Sequence, residues 1–376
     1  MAKHGLQKLP VGVSHAEALP IMEVLARVNN KIGRLEEKFN HSVVSEALVQ
    51  VLSLSESVES TRIEGTQVTF TDMVERQHDQ QPQWEIQEVS NYQKALHQGY
   101  EKILMGYPIT SRFVKELHET LMEGARGSTQ TSGNYRKVQN FIGPTKKMED
   151  ATYIPIAAHN IDDYMENLEY FINHHPYNKP LPVDHLSTDD YVFDEDADPL
   201  IKTAIIHAQF ESIHPFLDGN GRLGRILIVL YLIQSNVITS PIFFVSEELE
   251  KERPRYYDML NGVRGDNPRW GDWLLFFLRA CDRMADRINA KLEAAESLAK
   301  EGLAACGTAS EKKIWLNTFS RPFIDVKTAA NKAGVAPNTA RNALNALVEK
   351  DRLFVDKDVK RNKKYRNYDL MRILRD

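Results

Sequence analysis

The sequence predicts a mainly α-helical protein with one β-hairpin, closed by a C-terminal helix–turn–helix with a wing. Three observations carry that prediction. Apolar residues recur at helical spacing over most of residues 17–300. Strand-like runs are confined to residues 132–156 and to the far C-terminus. Charge is unevenly spread: residues 305–376 hold 16 Lys/Arg against 8 Asp/Glu, while the whole chain carries a formal −5.

Leu19, Met22, Leu25 and Val28 recur at three-residue steps, and Leu48, Val51, Leu52 and Leu54 continue the trend. Residues 17–60 therefore read as helical, with Gly65 as a left-handed cap. Helical patterns return over 85–104 and 109–125. SGNYRKVQNFIGPTKKMEDATYIPI, residues 132–156, holds two short extended runs around a polar turn, the pattern of a hairpin. Helix resumes at 159–173. PVDHLSTDDYVFDEDADP, residues 182–199, reads as a solvated acidic loop. It fails as a calcium loop, because Pro199 stands where glycine is needed and Ile205 where a bidentate glutamate is needed. Helices then cover 200–213, 220–235, 253–264 and 270–300, the last fading into a linker.

In the C-terminal part, IDVKTAANKAGV gives a helix and a turn at Gly334. PNTARNALNALVEKDRL gives a second helix with Pro337 near its start. That helix exposes Asn338, Thr339, Arg341, Asn342 and Asn345, polar residues suited to a groove. LFVD and KKYRNYD flank a basic turn with Lys360, Arg361, Lys363, Lys364 and Arg366, suited to phosphates. DNA and another protein are both expected partners of such a module. The expected domains are residues 1–108, an N-terminal helical region; 109–282, the core; 283–310, a helical linker; and 311–376, the winged helix–turn–helix.

Apolar content of 42% and charged content of 26% describe an ordinary soluble globular protein. The net charge argues against a nucleic-acid wrapper. Cys281 and Cys306 lack metal-ligand spacing, which suits a reduced compartment. The first residues hold no apolar signal core. ILIVLYLI, residues 226–233, is too short to span a bilayer, which takes about 20 residues. A cytoplasmic protein without a membrane partner is expected.

The chemistry concentrates in HPFLDGNGRLGR, residues 214–225. Pro215 should end the preceding helix at His214. The helix dipole there favours a protonated imidazole, which makes His214 a proton acceptor near neutral pH. Gly219, Asn220 and Gly221 open a helix whose periodic residues are Leu223, Ile226, Leu227 and Leu230. Such a start presents backbone N–H groups as an anion cradle. Arg222 and Arg225 share a face beside it. Asp218 is suited to hold magnesium (Mg2+) against phosphate oxygens. Asp218 apart, the segment offers the two arginines no carboxylate to pair with. These parts suit attack of a hydroxyl on a nucleotide phosphate, where catalysis is mostly positioning and charge stabilisation. No Walker loop is present. His207 shares the helix face of His214 and reads as packed core.

HPFLDGNGRLGR resembles the complete signature of the Fic family, H-x-F-x-[DE]-G-N-G-R-x-x-R. IIHAQFESI, the SGNYR…IG…YIP segment and YYDML fit the same resemblance, which covers roughly residues 40–280. It implies a helical core with a hairpin flap over the site, and transfer of AMP from ATP to a Ser, Thr or Tyr hydroxyl of a protein. His214 would deprotonate the hydroxyl, and Asp218 would bind the magnesium. Gly219, Asn220, Gly221, Arg222, Leu223, Gly224 and Arg225 would hold the phosphates. Tyr256 and Tyr257 would lie at the adenine. Relatives that phosphorylate instead have lysine where this chain has Gly221. Asn140, Phe141, Ile142 and Gly143 would form a flap edge that docks the target as an added strand. Self-modification and a homodimer are further expectations.

STRIEGT, residues 60–66, resembles the family's inhibitory signature [ST]-x-x-x-E-[GN]. Ser60 and Glu64 share a helix face, and Gly65 would end the helix after them. Glu64 then lies at the end least favourable for a carboxylate. Pairing with Arg225 would offset that and put Glu64, a nucleotide-site residue, in the place of the γ-phosphate. The same carboxylate could orient water to remove AMP. The alternative is a DNA-binding regulator whose core serves as a nucleotide sensor or toxin-like module. His214, Asp218 and Arg225 favour the enzyme, because a sensor needs no base.

Overall fold

The computed structural model describes residues 2–76, 84–124, 132–145, 147–173, 186–355 and 363–375. It is mainly helical, with three small sheets among the described residues. Contacts divide the chain into two units. The first comprises Met1–Gly33, Glu56–Gln67 and Pro82–Ala285; the second comprises Arg34–Ser55, Val68–Gln81 and Asp286–Asp376.

The chain begins with β1 (Lys3–His4), β2 (Val11–Ser14) and α1 (His15–His41). Helix α1 starts where Ser14 and Glu17 cap each other: Glu17 N–H donates to Ser14 Oγ, and Ser14 N–H donates to the Glu17 carboxylate. Residues 42–44 interrupt the expected long helix before α2 (Ser45–Ile63). Next come α3 (Phe70–Arg76), α4 (Trp84–Leu104) and α5 (Ser111–Leu121), the last capped by Thr110. Strand β3 (Tyr153–Ile154), α6 (Ile161–Asn173) and β4 (Asp190–Phe193) precede the centre of the first unit.

That centre is α7 (Pro199–Ile213) and α8 (Asn220–Gln234). Every residue from Leu200 to Ile213 is buried, as is nearly all of α8. Helices apolar all round belong inside a protein. Helix α4 comes close to α8 at Gly99, where a Cβ would fall 2.4 Å from Leu230 Cδ1. Helices α9 (Ser246–Lys251), α10 (Arg253–Gly262) and the first part of α11 (Trp270–Ala305) complete the unit. Trp273 of α11 is fully buried and donates its indole N–H to Ala204 O of α7.

Two expectations are corrected here. Among the described residues the hairpin over 132–156 is reduced to a single antiparallel bridge, Ile142 to Tyr153, and β3 pairs in parallel with β1 instead. Pro144 and Pro155 have no N–H to extend a ladder. The acidic stretch is not all loop: β4 pairs antiparallel with β2, setting Phe193 against Val11. Tyr191, Val192 and Phe193 are strand formers that outweigh the flanking aspartates. Residues 182–185 of that stretch lie outside the described residues.

In the second unit, α11 is followed by α12 (Ala309–Asn317), β5 (Phe323–Asp325), α13 (Val326–Ala333) and α14 (Pro337–Glu349). Then come β6 (Phe354–Val355), β7 (Lys364–Arg366) and α15 (Tyr368–Arg375). The three strands form one antiparallel sheet in the order β5-β7-β6. Asp325 caps α13 and Gly334, at φ 65°, turns the chain toward α14. Trp315 packs against Gly302, where a Cβ would come within 2.2 Å of it, and donates its indole N–H to Ala299 O. Asn338, Thr339, Arg341, Asn342 and Asn345 are exposed on α14. Lys360 and Arg361 lie outside the described residues.

Candidate active site

Helix α7 ends at His214, which adopts a left-handed conformation (φ 50°, ψ 59°) and donates its N–H to Phe210 O. Its carbonyl accepts from Arg136 Nε at 3.0 Å, and Pro215 O accepts from Arg136 N–H at 2.8 Å. The Arg136 guanidinium also reaches Val138 O and Ile156 O. One buried arginine thus ties the 136–156 segment to the turn that carries His214. His214 Nδ1 faces Glu211 O at 3.4 Å, which leaves Nε2 with the lone pair. Burial, then the charge of Arg264, lowers the His214 pKa to about 4. The expected stabilisation of a protonated His214 by the helix dipole is therefore overturned, because desolvation wins. The imidazole is neutral, and a ready base, at physiological pH.

Asn220 closes the turn after His214. Its side chain is 2% exposed, accepts from Phe216 N–H and donates to Phe216 O, both at 2.9 Å. It shapes the cradle, with its amide already engaged. Gly219 has φ 78° and donates its N–H to Asp218 Oδ1 at 2.6 Å. Asp218 projects a half-exposed carboxylate at the start of α8. Leu223 and Gly224 are buried in the following turn.

Both arginines have carboxylate neighbours in space: Arg222 has Glu88 and Asp218, and Arg225 has Glu64, the pairing expected from the STRIEGT segment. Arg222 Nη1 lies 3.6 Å from Glu88 and its Nη2 3.5 Å from Asp218. Arg222 Nε and Nη1 are buried without a hydrogen bond among the described residues. Arg225 is 1% exposed and held by the C-terminal end of α2 and by Glu64 just beyond it. Its Nε donates to Ser60 Oγ at 2.8 Å, and its Nη2 donates to Ser60 O at 2.9 Å and Glu64 Oε1 at 2.7 Å.

The end of α2 explains why Ser60 O is free to accept. Glu64 N–H turns to Thr61 O, Gly65 N–H to Arg62 O and Thr66 N–H to Thr61 O, with Gly65 at φ 98°. This tightened end withdraws the partner Ser60 O would have in a continuing helix. Burial penalises the Glu64 charge, but the bonded Arg225 outweighs that and holds its pKa below the ordinary value. Gly221 makes room for it: a Cβ there would lie 2.2 Å from Glu64 Oε1.

The tyrosines separate. Tyr256 is 1% exposed and its hydroxyl meets His207 Nε2 at 2.9 Å, so it is core and does not line an open adenine site. Tyr257 is 41% exposed and donates to Ile63 O at 3.2 Å, one residue before Glu64. In the flap segment, Asn140 Nδ2 reaches Phe216 O at 3.4 Å, Phe141 is half-buried and Gly143 is exposed. Ile142 spends its backbone N–H and C=O on Tyr153 and Thr152. No group of three or more His, Cys, Asp or Glu converges on a metal position among the described residues.

Two sequence profiles match this chain: the Fic/DOC family N-terminal region over residues 22–101 and the Fic/DOC family domain over residues 108–232. They take in residues 60–66 and the turn at 214–221, and together cover more than half of the chain. The chain belongs to the Fic/DOC family. Among relatives of this Fic protein, a probable protein adenylyltransferase of Aquifex aeolicus is 49% identical over 41 residues, 11% of this chain and 13% of that one. The protein adenylyltransferase Fic of Drosophila grimshawi is 23% identical over 152 residues, 40% of this chain and 25% of that one. The matches thus span a quarter or less of those relatives. A Fic family structure from Desulfovibrio desulfuricans has a TM-score of 0.54 at 20% identity, covering 93% of this chain and 95% of that one. Fic-1 of C. elegans has a TM-score of 0.50 at 18% identity, covering 74% and 76%. Among the described residues of this Fic protein, no helix is long and apolar enough to cross a membrane.

Sequence reasoning missed four residues that build this Fic site: His118, Arg136, Glu211 and Arg264. Arg136 and Glu211 lie in the SGNYR and IIHAQFESI segments that carry the resemblance but have no role assigned there, and each of the four acts through a contact distant in sequence or through burial. Glu211 is the most unusual. Its Oε1 is buried without a partner among the described residues. Burial raises its pKa to about 7 against the lowering by Arg225. Between the ordinary value of 4.5 and pH 7 the folded chain therefore holds a proton the unfolded chain has lost. Its contribution to stability is fullest below pH 4.5 and is lost as pH rises through 7. Glu211→Gln, which mimics the protonated acid, is expected to raise Tm by about 5 °C at pH 8 and little at pH 5. A gain independent of pH would refute the buried acid.

Proposed function

We propose that this Fic protein is an autoinhibited protein adenylyltransferase, moving AMP from ATP to a Ser, Thr or Tyr hydroxyl of a protein, itself included. The observation that carries the reading is Arg225: a fully buried guanidinium beside an anion cradle, its Nη2 held by the carboxylate of Glu64. An arginine in that position binds phosphate as readily as carboxylate.

In the reaction, His214 Nε2 takes the proton of the attacking hydroxyl. The hydroxyl oxygen bonds to the α-phosphorus, the bond to the bridging oxygen breaks, and pyrophosphate leaves with the electron pair. The N–H groups at the start of α8 and the cations Arg222 and Arg225 face the charge that develops. The donor set suits magnesium, since one half-exposed carboxylate, Asp218, next to a phosphate cradle is how that ion is commonly held. When bound it supplies charge neutralisation to the phosphates. Glu64 and the γ-phosphate compete for Arg225. With Glu64 in place, the same carboxylate can take a proton from a water whose oxygen bonds to the α-phosphorus of an AMP-modified hydroxyl; the bond from phosphorus to the protein oxygen then breaks, AMP leaves, and the protein oxygen takes up a proton to return the alcohol.

The test uses Glu64→Gly protein incubated with ATP labelled at either the α- or the γ-phosphate. Label carried onto protein from the α position only is the expected result. Transfer from the γ position would make the protein a phosphotransferase, and no transfer from either would overturn the reading.

A second reading concerns α12–α15. We infer that they form a winged helix–turn–helix that binds DNA, favoured by the exposed Asn338, Thr339, Arg341, Asn342 and Asn345 on α14. The full chain is expected to retard duplex DNA at low salt, with affinity falling steeply as salt rises. No retardation at low salt removes DNA as a partner.

A further inference from the structure

We propose that His118 is a positioning residue that aims the Asp218–Gly219 peptide at the nucleotide. The proposal rests on the reading of residues 214–225 as a nucleotide site. His118 lies in the last turn of α5 and is 4% exposed. Its ring stacks on Phe216 at 3.7 Å between centroids and 5° between planes. Nδ1 accepts from Gly133 N–H at 3.0 Å, and Nε2 lies 3.0 Å from Asp218 O.

These two contacts fix the tautomer. The backbone N–H of Gly133 can only donate, so Nδ1 must hold its lone pair. The proton of the neutral ring is then on Nε2, where it donates to the Asp218 carbonyl. A trans peptide carries its C=O and N–H in opposite directions. Holding Asp218 O toward His118 therefore turns Gly219 N–H away from α5, to the side where Asp218 Oδ1 now accepts from it. Ring stacking and the Gly133 bond keep the imidazole from rotating out of that role. The turn depends on this because Gly219 is left-handed and has no side chain to limit its motion. Gly219 also lies against the same ring, where a Cβ would fall 3.5 Å from His118 Nε2.

Two amide substitutions separate the nitrogens. The Oδ1 of His118→Asn replaces the Nδ1 acceptor but leaves nothing near Asp218 O. The amide nitrogen of His118→Gln reaches the Nε2 position and donates, losing the bond from Gly133. Each variant gives up one hydrogen bond and the stacked ring, so a purely structural role would penalise them alike. In the Glu64→Gly background, kcat/KM for ATP is expected to be higher for Gln than for Asn by on the order of tenfold or more, mostly through KM. Equal losses in both, matched by equal losses in Tm, would overturn the proposal.

A second measurement needs no activity. In protein labelled with 15N-glycine and free of nucleotide, the Gly219 amide resonance should move in the Asn variant and stay near its parent position in the Gln variant. Equal displacement in both overturns the positioning role. If the Glu64→Gly parent takes no label from ATP, the functional reading falls, while the Gly219 resonance still decides the role of His118.

Discussion

Glu64→Gly is expected to raise self-modification by about 100-fold. Arg225 is 1% exposed and makes three hydrogen bonds, two to Ser60 of α2 and one to Glu64 just beyond it. Breaking a buried ion pair by removing one partner costs about 3–5 kcal/mol. The Glu64 side chain is 36% exposed, so solvent screening reduces that figure to about 2–3 kcal/mol. A γ-phosphate that no longer has to displace the carboxylate recovers that difference, and each 1.4 kcal/mol is about tenfold. The same substitution leaves a buried cation wanting an anion, so ATP should raise the Tm of the variant more than that of the parent. Autoradiography after incubation with α-labelled ATP reads the first effect, and a thermal melt the second. Equal labelling of parent and variant would end the inhibitory role of Glu64.

The second large effect is loss of the base. His214→Ala in the Glu64→Gly background is expected to lower labelling by about 10²–10⁴-fold, the usual contribution of a positioned general base. ATP binding should survive, since no cradle N–H or arginine is touched. With the His214 pKa lowered to about 4, labelling by Glu64→Gly protein should be flat from pH 6 to 8 and fall as the pH approaches 4, where the imidazole protonates. Persistent label in His214→Ala would assign the proton to another group. A loss of activity near pH 6.5 would show that His214 keeps an ordinary imidazole pKa.

The two halves of the site differ in how far the sequence revealed them. His214, Asp218 and the arginines fall within twelve residues, so spacing and a helix start sufficed to group them. Helices α7 and α8 were legible because both are long apolar runs. The Glu64–Arg225 pair spans 161 residues and was accessible only through the family resemblance. Arg136 and His118 act on backbone carbonyls 78 and 100 residues away, and backbone acceptors leave no trace in sequence. The pairing of β1 with β3 and β2 with β4 was invisible for a related reason. Strands of two to four residues carry no periodicity, and their partners lie far along the chain. The protonation of His214 is not legible in sequence because helix position is local, while desolvation depends on everything packed around it.

The tightened end of α2 sets which donor holds Ser60 O. Ser60 O has two suitors: Arg225 Nη2, which holds it now, and the backbone N–H of Glu64, which would claim it if α2 wound regularly through its last turn. Winding that turn would take the acceptor from Arg225 and carry the Glu64 side chain around the helix axis at the same moment. Under the proposed autoinhibition, the hold of Glu64 on Arg225 would be graded by helix winding at one residue, a quantity that responds to temperature and to cosolvents without any change in the chemistry of the pair.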